Sequence, residues 1–256
     1  MQARDDDVRS AAAEVLERLR ARRPRVHCIT NAVAQAFTAN LLLAVGAVPS
    51  MTISPEEVGD FVARADALLV NLGTLEKSRR AAIGIAVDTA NGEHVPWLVD
   101  PVFVDRSPLR ASFAQALILL RPHAVRLNGD EFAALAGAEG ATEAVSHFAR
   151  DNRTVIALTG EIDTVGDGKR MARVANGHPW MGKITAMGCA GAALAAACLA
   201  VESEPWLAVA AGQIIVGVAG EVAAEQARGP GSLAVAILDT LNSLDRATLM
   251  ARAKVT

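Results

Sequence analysis

The stretch Ala67–Asp100, "ALLVNLGTLEKSRRAAIGIAVDTANGEHVPWLVD", decides the fold. It opens on "ALLVNLG", an apolar run without alternation, which reads as a strand covered on both faces. Leu75–Asn91 carries helical spacing, and "VPWLVD" reads as another strand. A strand, a helix and a strand in succession form a crossover that sets the two strands parallel in one sheet.

The same alternation extends in both directions. Upstream, Asp5–Arg23 reads as an amphipathic helix with Ala12, Val15, Leu16 and Leu19 on one face, ended by Pro24. "RVHCIT" is a strand, "AVAQAFTANLLLAVG" a helix stopped by Gly46, and "AVPSMTI" a strand. Ser54-Pro55-Glu56-Glu57 has the proline and acids of a helix start. Downstream come a helix over Ser107–Leu120, the strand "HAVRLN", helices over Asp130–Ala136 and Thr142–Asp151, and the strand "TVIALTG". "IDTVGDGKRMARV" predicts a hairpin turning on Asp167-Gly168. The remainder reads as helices over Gly188–Val201, Pro205–Glu225, Ser232–Asn242 and Asp245–Lys254. The prediction is an α/β fold, a mostly parallel central sheet with helices on both faces. With no linker, repeat or low-complexity break, residues 1–256 form one domain.

Composition narrows the function. The chain is 52% hydrophobic with a net charge of −3, which suits a large core and not a nucleic-acid partner. The one basic run, "RLRARRPR" from Arg18 to Arg25, reads as the solvated end of the first helix. Cys28, Cys189 and Cys198 are an odd number without paired spacing, so no disulfide framework or metal motif is expected. "MQARDDDVRS" is too polar for a secretory signal, which predicts a cytoplasmic protein. The apolar stretches Gly188–Val201 and Trp206–Ala219 both fall short of the roughly 20 residues of a membrane span, and core helices are the expectation.

In parallel sheets ligands gather beyond the carboxyl ends of the strands. Those ends bring Thr30-Asn31, Met51, Asn71-Gly73-Thr74, Asp100-Pro101, Arg126, Asn128 and Thr159-Gly160-Glu161 to one edge. The turn Met187-Gly188-Cys189 joins them, opening the alanine-rich helix of "KITAMGCAGAALAAACLA". The first N–H groups of a helix lack partners and its dipole favours negative charge, so this turn is a candidate anion hole. An Asp, a Glu, an Arg and such a helix end together suit a magnesium-bound nucleotide and a phosphoryl group in transfer. Each residue also has a plainer reading. Asp100 before a proline can shape a turn, and Glu131, three after Asn128, has capping-box spacing. Arg126 can be a surface ion-pair partner, Met51 a core residue and Cys189 a buried small hydrophobe.

The segments "VHCITNAVAQAFTAN", "GAVPSM", "PEEV", "LLVNLGTL", "LVDPV", "LTGEIDTVGDGKRMARVANGHPWM" and "KITAMGCA" together resemble the hydroxyethylthiazole kinase family, in order and spacing, over about residues 10–250. The resemblance implies a ribokinase-like fold. It implies ATP- and magnesium-dependent phosphorylation of the hydroxyl of 5-(2-hydroxyethyl)-4-methylthiazole in thiamine salvage, by a homotrimer with active sites between subunits. By the same resemblance Met51 lines the thiazole pocket, with Asn31 near it. Arg126 and Thr159 match ATP-contacting positions, and Asp100 and Glu131 the acids near magnesium and the phosphates. Cys189 stands where other kinases of this fold carry a catalytic aspartate. Ala186 matches a glycine that contacts substrate in the family, and a contact through its backbone survives if φ stays negative. Met187 stands in place of a threonine. The anion hole would be the N–H groups from Met187 through Gly188 and Cys189 to Ala190. A helix start lowers a thiol's pKa, so Cys189 could accept the hydroxyl proton. Glutamine at 131 would still cap its helix while removing the charge. A kinase for another small heterocyclic alcohol, a nicotinamide-repair dehydratase of the same fold, and a non-catalytic thiazole- or nucleotide-binding relative are the alternatives.

Overall fold

The computed structural model describes residues 5–138 and 142–256; Met1–Arg4, the start of the stretch read as non-secretory, lie outside them. In chain order the elements are α1 (Asp5–Arg22), β1 (Arg25–Ile29), α2 (Gln35–Val45), β2 (Val48–Ser50), α3 (Val58–Val62), β3 (Ala67–Asn71), α4 (Lys77–Gly92), β4 (Trp97–Asp100), α5 (Pro108–Leu119), β5 (Ala124–Asn128) and α6 (Gly129–Ala136). There follow α7 (Thr142–Asn152), β6 (Val155–Thr159), β7 (Asp163–Gly166), β8 (Met171–Val174), α8 (Met187–Leu199), α9 (Pro205–Ala224), α10 (Pro230–Ser243) and α11 (Arg246–Arg252).

The eight strands form one sheet in the order β2-β1-β3-β4-β5-β6-β7-β8. From β2 to β6 the strands are parallel; β7 and β8 run antiparallel, as the predicted hairpin requires. All five residues of β3 are buried, the signature of a strand covered on both faces. One core joins α1, α2 and α8–α11 to one face; a second joins α3–α7 to the other. Residues 254–256 pair with the outer edge of β8: Arg173 and Thr256 exchange backbone hydrogen bonds at 2.7 and 3.0 Å, and Ala175 N donates to Lys254 O at 2.9 Å.

Three expectations need correction. The stretch Trp206–Ala219 is a core helix as expected, but not because it is short: the helix predicted over Pro205–Glu225 is α9, which at 20 residues is long and apolar enough to cross a membrane. In its most apolar window 78% is buried inside the protein, so its apolar character serves packing. A Cβ on Gly212 would stand 3.1 Å from Ala195 Cα, so α9 and α8 approach closer there than a side chain permits. Second, Ser54–Glu57 form a turn, and α3 starts only at Val58. Third, the basic run is not simply solvated. Arg18 donates to Val201 O at 3.2 Å and pairs with Glu202 at 2.7 Å, while Arg20 donates to Leu241 O at 2.9 Å. These two cations dock on the carbonyl ends of α8 and α10, where the helix dipole favours them.

Candidate active site

The carboxyl ends of β1, β3 and β4 carry Asn31, Asn71 and Asp100, which form one chain of hydrogen bonds. Asn31 Nδ2 donates to Asn71 Oδ1 at 3.2 Å, and Asn71 Nδ2 donates to Asp100 Oδ2 at 2.6 Å. Asn31 Nδ2 also reaches Cys189 Sγ at 3.3 Å, which ties the strand ends to the start of α8. α8 lies against β1, β3 and β4, so its first turn stands over the middle of this edge. Asn31 Oδ1 in turn accepts from Ala34 N at 3.0 Å, fixing the turn after β1.

Two acids face the same place. Burial, reinforced by the Glu131 charge, raises the Asp100 pKa to about 7. Burial is also the first cause that raises Glu131 above its ordinary range. Glu131 is a true capping-box residue. Its Oε2 accepts from Asn128 N and its Oε1 from Phe103 N, each at 2.9 Å, while Asn128 Oδ1 accepts from Glu131 N at 2.9 Å. Glutamine could still cap through its one carbonyl oxygen, but only by giving up the bond to Phe103 N. With the oxygen kept on Asn128 N, the amide NH2 of Glu131→Gln would face the Phe103 N–H, a donor against a donor.

The first turn of α8 differs from expectation in three ways. Ala186, the N-cap, has φ 71°, not a negative value, so it holds the left-handed conformation that glycine adopts without cost. Met187 N donates to Ile184 O at 3.3 Å, and Ala190 N to Ala186 O at 2.9 Å. Of the N–H groups from Met187 to Ala190, only those of Gly188 and Cys189 have no backbone partner among the described residues, which narrows the candidate anion hole to that pair. Met187's side chain is buried in the core against which α8 packs. Third, the Cys189 thiol is not acidified. Its burial and the Asp100 charge push its pKa up to about 11. At neutral pH it is a thiol, and its hydrogen bond helps hold the Asp100 charge.

Two tests follow from this turn. Ala186→Gly should stabilise the protein by about 0.5–1 kcal/mol, since left-handed backbone costs an L-residue ~1–2 kcal/mol and glycine's added chain entropy returns only part. Thermal denaturation checks it, and a lower melting temperature would contradict the strain. Cys189→Ala should reduce kcat by no more than ~10-fold and leave the shape of the pH–rate profile between about pH 6 and 9 unchanged, because no thiolate forms there. An alkaline limb present in the wild type and absent in the variant would restore the thiolate base.

Arg126 reaches across from β5. Its Nη1 donates to Gly188 O at 2.9 Å, placing the guanidinium beside the open N–H pair. Thr159, opposite Asn128 in the register of β5 and β6, donates its hydroxyl to Leu127 O at 3.3 Å. At the other end Met51 follows β2, partly buried against the core. Its segment is pinned by the buried His27, whose Nδ1 accepts from Ser50 Oγ at 2.8 Å and whose Nε2–H donates to Thr52 O at 3.1 Å. Burial holds His27 down to about 4, so it clamps as the neutral ring. The candidates thus lie in a row along the edge, in strand order: Met51, Asn31, Asp100, Arg126 with Glu131, and Thr159. Five strand spacings of about 4.8 Å separate the ends of that row by roughly 24 Å, so Met51 and Thr159 cannot touch one small ligand.

Sequence reasoning underrated three residues. Asn71 was visible as a polar strand end in an apolar run. Gln213 read only as an interruption of an apolar helix, and Asp163 only as part of a hairpin. Gln213 is wholly buried, which no spacing signals. Among the described residues no group of three or more His, Cys, Asp or Glu could hold a metal by itself.

The Hydroxyethylthiazole kinase family profile matches residues 16–247. A probable hydroxyethylthiazole kinase from Agrobacterium fabrum is 42% identical over 95% of this chain and 94% of its own. One from Klebsiella pneumoniae is 45% identical over 87% and 91%. The structure of the hydroxyethylthiazole kinase protein from Pyrococcus horikoshii superposes with a TM-score of 0.92 at 37% identity, covering 96% of this chain and 98% of its own. A Staphylococcus aureus pyridoxal kinase shares the fold, with a TM-score of 0.62 at 16% identity over 77% and 88%. With the strand-end polar row, the open α8 turn and these matches over nearly the whole length, the chain belongs to the hydroxyethylthiazole kinase family of ribokinase-like kinases.

Proposed function

We propose that this protein transfers the γ-phosphoryl group of ATP to the hydroxyl of 5-(2-hydroxyethyl)-4-methylthiazole in thiamine salvage, as a cytoplasmic homotrimer with active sites between subunits. The observation that carries the reading is the linear order of the site. Met51 and Asn31 lie at one end for the thiazole, Arg126 and Thr159 at the other for the nucleotide. Between them stand Asp100 and the open N–H groups of Gly188 and Cys189, where the transferring group would lie. Names of close relatives support the same substrate.

In this mechanism the γ-phosphate is held by the Gly188 and Cys189 N–H groups and by Arg126, donors fixed before the reaction begins. Asn31 and Asn71 orient Cys189 and Asp100 toward the attacking hydroxyl. Because phosphoryl transfer has a loose transition state, little base help is needed early, and the proton can pass late to Asp100. The Asp100–Glu131 pair fits magnesium: hard oxygen donors, each made harder to ionise by burial, with the Glu131 charge adding to the strain on Asp100. Magnesium is commonly held by one or two carboxylates together with substrate phosphates. Bound there, it would supply charge neutralisation on the phosphate oxygens.

Ala186 supports an active enzyme over a non-catalytic relative, because it adopts the backbone shape a glycine would take and so preserves the turn. The trimer is supported by apolar side chains exposed around the β2 edge: Val33, Val48 and Phe61. A coupled ATPase assay with and without the thiazole alcohol tests the function. ATP turnover that does not depend on the alcohol, or that prefers another heterocyclic alcohol, would reject it. Sedimentation of a fully active monomer would reject the trimer.

A further inference from the structure

Gln213 sits in the middle of α9, wholly buried, between Gly212 and Ile214 in a helix whose one other polar side chain is Glu221. Packing alone gives no reason for an amide there. Both of its polar groups are used. Oε1 accepts from Arg126 Nε at 3.0 Å, and Nε2 donates to Asp163 Oδ2. Asp163 Oδ1 accepts from Gly160 N at 3.0 Å, at the turn that follows β6. The amide's orientation follows from its partners, since a guanidinium N–H needs an acceptor and a carboxylate needs a donor.

At the other end Arg126 is held on two further sides. Nη1 donates to Gly188 O, and a Cβ on residue 191 would stand 3.0 Å from Nη2, so glycine there leaves the room the guanidinium occupies. Two of the five guanidinium N–H groups are therefore engaged within the protein, leaving three for a ligand. Nε carries one of the engaged pair, and a bond at Nε fixes the plane of the whole group. The Arg126 charge also acts on Asp163, opposing the effect of burial on that carboxylate.

We infer that Gln213 and Asp163 are positioning residues that set the plane of the Arg126 guanidinium toward the nucleotide phosphates, and through Gly160 couple that plane to the turn carrying Thr159. The relay crosses three elements, β5, α9 and the start of β7, and ends at both residues read as nucleotide contacts. It rests on the assignment of Arg126 to the nucleotide.

The experiment compares KM for ATP, KM for the thiazole alcohol and kcat, with direct titration of ATP by calorimetry, in variants of the full chain. Arg126→Ala is the control for the assignment itself. Gln213→Met keeps the volume and removes both hydrogen bonds; it should weaken ATP by about 5–30-fold and leave the KM for the alcohol within about 2-fold, the pattern of lost positioning and not of general damage. Gln213→Glu keeps the bond to Arg126 but sets two carboxylates against each other, and should weaken ATP as well. Gln213→Glu combined with Asp163→Asn reverses the second bond, the new amide donating and the new carboxylate accepting, and should return ATP affinity to within about 3-fold of wild type. Asp163→Ala breaks the far end of the relay at a half-buried site and covers the case in which the α9 variants do not fold. Unchanged ATP binding in Arg126→Ala would reject the nucleotide assignment. Weakened binding in Arg126→Ala together with wild-type ATP binding in Gln213→Met or Asp163→Ala would reject the relay alone. Equal losses in both KM values, without rescue by the double variant, would reduce Gln213 to a structural residue and reject the relay too.

Discussion

Replacing Arg126 by alanine should raise the apparent KM for ATP by about 10–150-fold while changing the KM for the thiazole alcohol little, since a charge-assisted hydrogen bond to phosphate is worth roughly 1.5–3 kcal/mol. Two features make the loss large. Three guanidinium N–H groups remain open once Gln213 and Gly188 have taken theirs, and the N–H groups of Gly188 and Cys189 stand beside them. Removing the side chain leaves Gln213 Oε1 buried without its donor, so a fall in melting temperature should accompany the kinetic effect. Initial-rate kinetics with each substrate varied in turn settle the matter. An equal rise in both KM values would take Arg126 out of the nucleotide half of the site.

Asp100→Asn should lower kcat by about 10²–10⁴-fold, because the two roles proposed for the carboxylate, a late proton acceptor and a share of the magnesium site, are lost together. The same variant makes a second prediction through stability. Asp100 titrates near 7 in the folded protein against an ordinary 3.8. The folded state therefore holds a proton that the unfolded state has released over that interval. Stability of the ligand-free protein must then fall as pH rises from about 4 to about 7, by an amount on the order of 1–4 kcal/mol from this residue. Asparagine carries no such proton and can still accept from Asn71, so Asp100→Asn should lose that slope and be more stable than wild type at about pH 8. If Asp100 helps hold magnesium as proposed, the ion should raise the wild-type melting temperature more at about pH 8 than at about pH 5.5, because metal and proton compete for the carboxylate. Urea denaturation across pH tests the slope. Identical pH profiles in the two proteins would show that Asp100 ionises normally.

Much of this could be read from residues, and the rest could not for identifiable reasons. The succession of β3, α4 and β4 was written in the run from Ala67 to Asp100, because burial on both faces leaves an unbroken apolar signature. Polar strand ends such as Asn31 and Asp100 stood out against those runs. The backbone angle at Ala186 did not, since alanine carries no mark of a positive φ. The engagement of Met187 N–H depends on the turn at Ile184, which a residue string does not specify. The direction of the Cys189 shift depended on a competition. A helix start favours thiolate, but burial beside Asp100 opposes it more strongly, and only the placement of Asp100 decides between them. Gln213 looked like a flaw in an apolar helix because its partners come from residues far away in sequence, Arg126 and Asp163.

The pairing of residues 254–256 with β8 bears on handling the protein. Unprotected sheet edges offer a template on which other chains can add strands, and aggregation begins there. At the far side, β2 is only three residues long and carries Pro49, which cannot donate to an added strand. The β8 edge has no such proline and depends on its covering tail. Replacing residues 254–256 by a segment that cannot pair would bare that edge without touching the candidate site, so the variant should still turn over but precipitate on storage.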